Sequence, residues 1–280
     1  MVQASLAALL GVVSGAAAAG SGPYSASYRV DPSLPRHTIF APTNPPANLK
    51  LPVLVWGQSG CTNNGTVFRL FLEELASHGV FIISNGIPNG AANPNGIAET
   101  ANPNASLHKE GIDWVSKVAG IPGNYSAVDA SRIAVAGQSC GGTQAYAIVN
   151  KDPRITAIGI FNSGMINATD TTPSLVQVPI FFFLGGPTDI AYANGERDYT
   201  RLPKTTPKWK ANLAVGHMGT YSQANGGKFG VAGSNWVKWV LRGNATAATF
   251  FTGSGPGTAK GDGWDVVHDA LDGIKVTPLD

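Results

Sequence analysis

Short runs of consecutive apolar residues alternate along the chain with segments of helical periodicity. The apolar runs, each of which predicts a β-strand, lie at residues 51–56, 80–84, 132–136, 157–161 and 179–184. The segments of helical periodicity lie at residues 66–78, 108–119, 140–150 and 234–241. Alternation of strands with helices predicts a parallel sheet, and strands without polar alternation indicate that both of its faces are buried. We therefore predict an α/β fold with a central, mostly parallel sheet and helices on both faces.

One segment interrupts this alternation. Residues 85–105 contain Asn-Gly three times and Asn-Pro twice, with few apolar residues between them. Such pairs are typical of turns, so the segment is predicted to be a long loop. As a strand-to-helix connection it should emerge at the sheet edge where these folds bind ligands. A role at the rim of a substrate site and a purely surface role both remain open.

Length and composition fit a single globular domain. Of the 280 residues, 35 are Gly, 19 are Pro and only 13% are charged, which excludes a disordered charged chain and a long coiled coil. The formal net charge is +2 and no basic run of five residues occurs, so nucleic acid is not an expected partner. Two cysteines are too few for a disulfide-dense small fold or a multi-cysteine zinc site.

The N-terminal residues predict a secretory signal. Residues 1–19 carry no charge, contain an apolar stretch from Leu6 to Val13 and end in four alanines, the small residues that a signal peptidase accepts. The basic residues that usually begin a signal are missing, and an alanine-rich segment without a targeting role is the alternative. No later segment is long and apolar enough to span a bilayer. We expect a secreted protein with one domain at residues 20–280.

Potential glycosylation sites agree with secretion. The sequence Asn-x-Ser/Thr occurs five times, and a chain rich in asparagine also forms several such sites by chance. The five asparagines are Asn64, Asn104, Asn124, Asn167 and Asn244.

A nucleophile motif follows the predicted strand at 132–136. Residues 137–142 read GQSCGG and lead into a predicted helix, which is the strand, turn and helix setting of a nucleophile elbow. A side chain two positions from Ser139 would collide with the neighbouring strand or helix, hence the glycines. A bare Gly-x-Ser-x-Gly is expected roughly 0.3 times by chance in this composition, so its placement carries the argument. Ser59, in the similar tripeptide GQS at 57–59, precedes a loop rather than a helix and is predicted to be a loop residue.

A serine nucleophile needs a histidine base and a carboxylate that orients it. In an elbow fold these follow the serine in the order acid, then histidine. His217 has glycines on both sides and follows a β-like stretch at 211–215, whereas His268 lies in an amphipathic stretch at 264–271. We therefore predict His217 as the base.

Asp189 is the predicted acid. It follows the apolar run 179–184 directly, at the end of a strand where an elbow fold places its acid. Glu196 and Asp198 lie in a charged triplet and are expected to be solvated or ion-paired, and Asp170 precedes the strand, at its wrong end.

Acyl transfer also requires two N–H donors directed at the developing oxyanion. The residue after the nucleophile, Cys140, supplies one, and the loop after the strand 51–56 supplies the other, for which Cys61 is the best candidate. Both donors must lie within a few ångströms of each other, so we hypothesise a Cys61–Cys140 disulfide in an oxidising compartment. Two buried free thiols are the alternative.

The chain resembles the secreted α/β-hydrolases of the cutinase, polyester hydrolase and dienelactone-hydrolase-like type, including fungal members. The similarity runs from about residue 51 to residue 251, and it rests on LPVLVW with Gly60-Cys61-Thr62, LASHGVFIIS, RIAVAGQSCGG, VPIFFFLGGPTD, GHMGTY and FGVAGSNWVKWVLRGNATAATFF. The resemblance implies an α/β-hydrolase fold, a triad of Ser139, Asp189 and His217, and oxyanion donors at Cys61 and Cys140. Single-domain members need no partner, so it also implies a monomer.

Two departures bear on the substrate. Many α/β-hydrolases begin the oxyanion loop with His-Gly, whereas this chain has Trp56-Gly57. Polyester hydrolases place a tryptophan clamp after the strand that follows the elbow, but residues 160–165 read IFNSGM. The resemblance therefore names no polymer. Trp236 and Trp239 are spaced as core residues of a helix rather than as substrate contacts.

Taken together, the residues predict an extracellular serine esterase that hydrolyses carboxylic esters through an acyl-enzyme, with no metal or organic cofactor. A feruloyl or acetyl esterase acting on plant polysaccharide and a lipase-like enzyme acting on acylglycerols are the alternatives among enzymes. A non-catalytic secreted binding protein on the same scaffold is the alternative from another class.

Overall fold

A computed structural model describes residues 19–90 and 105–279. The predicted signal, apart from Ala19, lies outside the described residues. So do Asn104 and most of the loop predicted at 85–105. Ala19 itself pairs with Ala26 through two backbone hydrogen bonds.

The described residues form one nine-stranded sheet. Six neighbouring strands at its centre are parallel, and both of its edges are antiparallel. Numbered along the chain, the strands are β1 (Ala26–Arg29), β2 (His37–Pro42), β3 (Leu51–Gly57), β4 (Phe81–Asn85), β5 (Val128–Gln138), β6 (Ile155–Phe161), β7 (Ile180–Leu184), β8 (Lys208–Asn212) and β9 (Asp265–Asp269). Their order across the sheet is β1-β2-β4-β3-β5-β6-β7-β8-β9.

Helices cover both faces of this sheet, as the apolar strands predicted. They are α1 (Arg69–Ser77), α2 (Ser106–Val118), α3 (Cys140–Val149), α4 (Tyr192–Arg201), α5 (Gly227–Val240) and α6 (Ala245–Thr252). One apolar core lies between the sheet and α1, α5 and α6, and a second lies between the sheet and α2, α3 and α4. Successive strand residues such as Leu54 and Val55 point into opposite cores, because side chains alternate across a strand.

The sheet extends beyond the predicted strands at both edges. At one edge, β2 pairs antiparallel with β4, and β1 pairs antiparallel with β2. At the other edge, β9 pairs antiparallel with β8. The stretch 264–271 therefore contains an edge strand whose side chains are mostly exposed. These strands lack the long apolar run that marks a buried strand in a sequence, because β1 has only four residues, β9 is mostly exposed and β2 begins with the polar residues His37 and Thr38.

The described residues contain no helix that is long and apolar enough to cross a membrane. The longest described helix, α5, has 14 residues, whereas a span needs about 20.

Trp236 and Trp239 belong to the core, as their spacing predicted. The Trp236 side chain is fully buried and contacts the rings of Phe161, Phe181 and Phe183, which come from β6 and β7. Trp239 packs against Phe181 and is 8% exposed. These aromatic contacts hold α5 against the centre of the sheet.

Removing the Trp236 side chain should therefore destabilise the fold. We expect Trp236→Ala to lower the free energy of unfolding by about 3–5 kcal/mol, since it leaves a large cavity among aromatic rings. Urea unfolding followed by circular dichroism measures this loss. Val231→Ala on the same helix is the control, because Val231 is 45% exposed and its truncation should change the free energy by less than about 0.5 kcal/mol. Equal losses of unfolding free energy in the two variants would contradict the assignment of Trp236 to the core.

Candidate active site

The turn between β5 and α3 gives Ser139 an unusual backbone. Its φ is 54° and its ψ is −119°, a conformation that side chains rarely adopt. Gly137 and Gly141 make the turn possible. A Cβ on Gly137 would lie 2.3 Å from the Gly141 carbonyl carbon, and a Cβ on Gly141 would lie 2.1 Å from the Gly57 oxygen. The steric reason predicted for both glycines is confirmed.

Asp189 and His217 lie beside Ser139 at the carboxyl ends of the parallel strands. His217 Nε2 is 3.0 Å from Ser139 Oγ, and His217 Nδ1 is 2.6 Å from Asp189 Oδ1. Asp189 follows β7 and His217 follows β8. The segments after these strands are joined because the N–H groups of Val215 and Gly216 both donate to the Gly185 oxygen. The structure thus brings together the three residues that the sequence singled out.

The Asp189 carboxylate is buried but well supplied with donors. Oδ1 accepts a hydrogen bond from the Ala191 N–H, and Oδ2 accepts from the Gly185 N–H and from Asn162 Nδ2. Burial alone would raise the pKa of Asp189, but these hydrogen bonds and the one to His217 outweigh it and lower the pKa below its usual value. The group is therefore held as a carboxylate that can accept a hydrogen bond from the imidazole.

Two polar residues behind this carboxylate were not found from the sequence. Asn162 lies just after β6 with a φ of 43°, and its side chain donates to Asp189 and to the Gly216 oxygen. Its Oδ1 accepts a 2.6 Å hydrogen bond from the Tyr221 hydroxyl. Both side chains are buried. The sequence Asn162-Ser163-Gly164 follows an apolar strand, so its place at the end of that strand was readable from the sequence. Nothing in the sequence linked Asn162 to Asp189.

Gln138 and Ser163 support the other two residues. Gln138 Nε2 donates to the His217 backbone oxygen at 2.8 Å, and the Ser163 hydroxyl donates to the Ser139 oxygen at 2.6 Å. Each bond holds the backbone of a site residue. These hydrogen bonds explain why the polar side chains of Gln138 and Ser163 are buried at this edge of the sheet.

The Cys61–Cys140 disulfide is present, with the two Cα atoms 5.2 Å apart. The alternative of two free thiols is therefore wrong. The bond joins α3 to the 3₁₀ turn Ser59–Cys61, in which Gly60 and Cys61 both have positive φ. It fixes this turn beside the first residue of α3.

The backbone N–H groups of the two cysteines differ. Cys140 is the first residue of α3, so its N–H has no acceptor within the helix. The Cys61 N–H donates to the Gln58 oxygen at 3.1 Å within its turn. A contribution from Cys61 to an anion beside Ser139 would therefore share its N–H between two acceptors, which is common in such turns.

The other candidate residues lie elsewhere. His268 is exposed on the edge strand β9, Glu196 pairs with Lys210, and Asp198 is buried beside Arg197. Ser59 is half-buried within its turn.

The described potential glycosylation sites lie at or near the surface. Asn124 and Asn167 are exposed. Asn64 and Asn244 are half-buried, and the Asn244 side chain caps α6.

A pocket of about 150 Å³ opens beside Ser139 and His217. Its walls come from the first turn of α3, the segment after β6 and the start of α4. Among the described residues, no cluster of histidine, cysteine and carboxylate side chains is arranged to hold a metal ion.

No protein-family model matches the chain and no curated protein shows significant similarity to it.

Replacing Asn162 should weaken the support of Asp189. Because the folded-state pKa of Asp189 is lowered, its carboxylate stabilises the fold above the unfolded pKa of about 3.9, and this contribution is lost as pH falls through the folded pKa. We expect Asn162→Ala to lower the free energy of unfolding by about 1–3 kcal/mol at pH 7. The difference from the unaltered protein should shrink as pH falls from about 4 through the lowered folded pKa, because the carboxylate becomes protonated over that range.

Urea unfolding at pH 7 and at pH 3 measures both effects. Asn235→Ala is the control, since Asn235 is half-buried on α5 and its side chain donates only to the Val231 oxygen of its own helix. A difference for Asn162→Ala that does not change with pH would contradict the link to Asp189.

The disulfide should contribute strongly to stability. It joins residues 79 positions apart, and closing a loop of that length stabilises the folded state by about 4 kcal/mol in the chain-entropy model. We expect Cys61→Ala/Cys140→Ala to lose stability of this order in urea unfolding. A reductant should lower the midpoint of the unaltered protein and leave that of the double variant unchanged. A midpoint insensitive to reductant in both proteins would contradict the prediction.

Proposed function

We propose that this protein is a secreted serine esterase with an α/β-hydrolase fold, which hydrolyses carboxylic esters through an acyl-enzyme. The observation that carries the proposal is the continuous hydrogen-bonded series from Ser139 Oγ through His217 to Asp189. A serine hydroxyl, an imidazole and a carboxylate in this order form the arrangement that activates serine as a nucleophile. No second function is favoured by a separate observation.

The fold assignment rests on topology and on the turn. Six parallel strands carry Ser139 after β5, Asp189 after β7 and His217 after β8, which is the chain order of the elbow fold. The strained serine between strand and helix supports the same assignment.

In the proposed mechanism, Ser139 Oγ attacks the ester carbonyl carbon while His217 Nε2 takes its proton. Asp189 orients the imidazole through Nδ1 and stabilises its positive charge. Collapse of the tetrahedral intermediate breaks the bond to the alcohol, which leaves with the proton from His217. Water then attacks the acyl-enzyme by the same route, releasing the carboxylic acid and restoring Ser139.

The negative oxygen of each tetrahedral intermediate needs N–H donors. The Cys140 N–H, at the start of α3, is one proposed donor, and the helix dipole adds to its effect. The second is proposed to come from the Ser59–Cys61 turn, with Cys61 sharing its N–H between Gln58 and the oxyanion. The disulfide holds this turn in place.

Secretion is part of the proposal. The predicted signal at 1–19 and the five potential glycosylation sites support it. The disulfide adds support, since such bonds persist mainly in oxidising compartments.

Replacing Ser139 tests the activity. We expect Ser139→Ala to lower kcat for p-nitrophenyl acetate by a factor on the order of 10⁴ or more, because the nucleophile is removed. A fluorophosphonate probe should label the unaltered protein at Ser139 and leave the variant unlabelled. Ser254→Ala is the matched control, since Ser254 is exposed and does not line the pocket, and it should retain full activity. Full activity in Ser139→Ala, or no labelling of the unaltered protein, would refute the proposal.

A further inference from the structure

The pocket beside Ser139 has the properties of a binding site for a small apolar group. It opens onto both the Ser139 hydroxyl and the His217 ring, and its volume is about 150 Å³. An apolar protein cavity of about 150 Å³ is large enough to hold benzene. A linear group of about six carbon atoms is thus the largest that this pocket can enclose.

Its walls favour an uncharged occupant. Among the described residues that line it, His217 alone can carry a charge. The Thr143 hydroxyl donates to the Cys140 oxygen and the Ser163 hydroxyl donates to the Ser139 oxygen, so both hydroxyl protons are already used. Asn194 Oδ1 accepts from Arg197 Nη1. Neither hydroxyl proton is thus free for an occupant, and apart from His217 no described lining side chain carries a charge, so a charged group would lose its water here with little compensation.

The far side of the pocket is closed by backbone. A Cβ on Gly164 would lie 2.6 Å from both the Asn194 carbonyl carbon and the Gly195 nitrogen. A Cβ on Gly195 would in turn lie 2.7 Å from a Leu184 methyl group and 3.0 Å from the Ser163 oxygen. The segments after β6 and at the start of α4 thus meet with no room between them, so a longer chain has no path through this wall.

Two isoleucines flank the open side. Ile166 and Ile190 are 77% and 80% exposed although both line the pocket. Single exposed apolar residues are common on proteins, but these two come from separate loops and line the same pocket as Ser139. An apolar chain that fills the pocket would bury more of their exposed surface than an acetyl methyl group would.

We propose that this pocket binds one arm of the ester substrate, an uncharged, unbranched apolar group of about four to six carbons, and that Ile166 and Ile190 set the preference for that length. This inference rests on the proposed esterase activity. The arm is either the acyl chain or the alcohol part of the ester. Both are apolar chains, so the pocket would bind either one through the same contacts.

Two series of esters test the proposal. In one, p-nitrophenyl esters run from acetate to decanoate, and in the other, acetates of linear alcohols run from methyl to octyl. Each methylene that enters an apolar site is worth about fourfold in kcat/KM. We expect kcat/KM in one series to rise at least tenfold up to four to six carbons and to fall at least tenfold at the longest chain. The series that shows this maximum identifies the arm.

Variants at the open side test the residues named. We expect Ile166→Ala/Ile190→Ala to lower kcat/KM for the preferred ester about tenfold relative to that for methyl acetate, which reduces the length preference. Ile121→Ala is the matched control, because Ile121 is 50% exposed and does not line the pocket. It should leave every ester unchanged.

The possible results separate the two proposals. Hydrolysis with no optimum in either series, an optimum at eight carbons or more, or an unchanged length preference in the double variant would each overturn the pocket assignment while the esterase activity stands. Absence of hydrolysis of every ester by the unaltered protein would refute the esterase proposal itself.

Discussion

The candidate site depends on one close approach of backbone, where the first turn of α3 touches the end of β3. Gly141 lies against the Gly57 oxygen and Gly137 lies against Gly141, with no space for a side chain at either position. This contact forces Ser139 into its strained conformation. The disulfide between Cys61 and Cys140 crosses the same junction. Strand, turn and helix are thereby held in one arrangement, and the serine hydroxyl is left at the surface of the sheet edge.

Burial of a carboxylate beside this turn carries a cost that the surrounding polar groups offset. Asp189 accepts hydrogen bonds from two backbone N–H groups and from Asn162, which is itself held by Tyr221. A buried charge without such partners would be neutralised or would destabilise the fold. The series from Tyr221 to Ser139 therefore orders the site through residues in the segments that follow β5, β6, β7 and β8. The stability of the buried carboxylate and the orientation of the His217 ring are therefore coupled.

Much of the fold was predictable because its central strands contain runs of consecutive apolar residues. β3, β4, β5, β6 and β7 all lie within or across the predicted runs, and their bounds differ by a few residues. The edges were not predictable in the same way. β8 and β9 carry lysines, aspartates and a histidine, and β1 has only four residues, so their pairing depends on neighbours that are distant in sequence. The polar helix α4 was missed for the related reason that only part of one face is buried.

The sequence by itself determined the local chemistry: a serine between glycines after a buried strand, an aspartate and a histidine after later strands, and two cysteines. Each was readable because its requirement is local, a steric limit on a turn or the end of an apolar run. Only the tertiary structure decided that Asn162 and Tyr221 support Asp189, that the Cys61 N–H already has an acceptor, and that a pocket lies beside Ser139. These depend on distances between segments that are far apart along the chain, and such distances are fixed by packing rather than by local sequence.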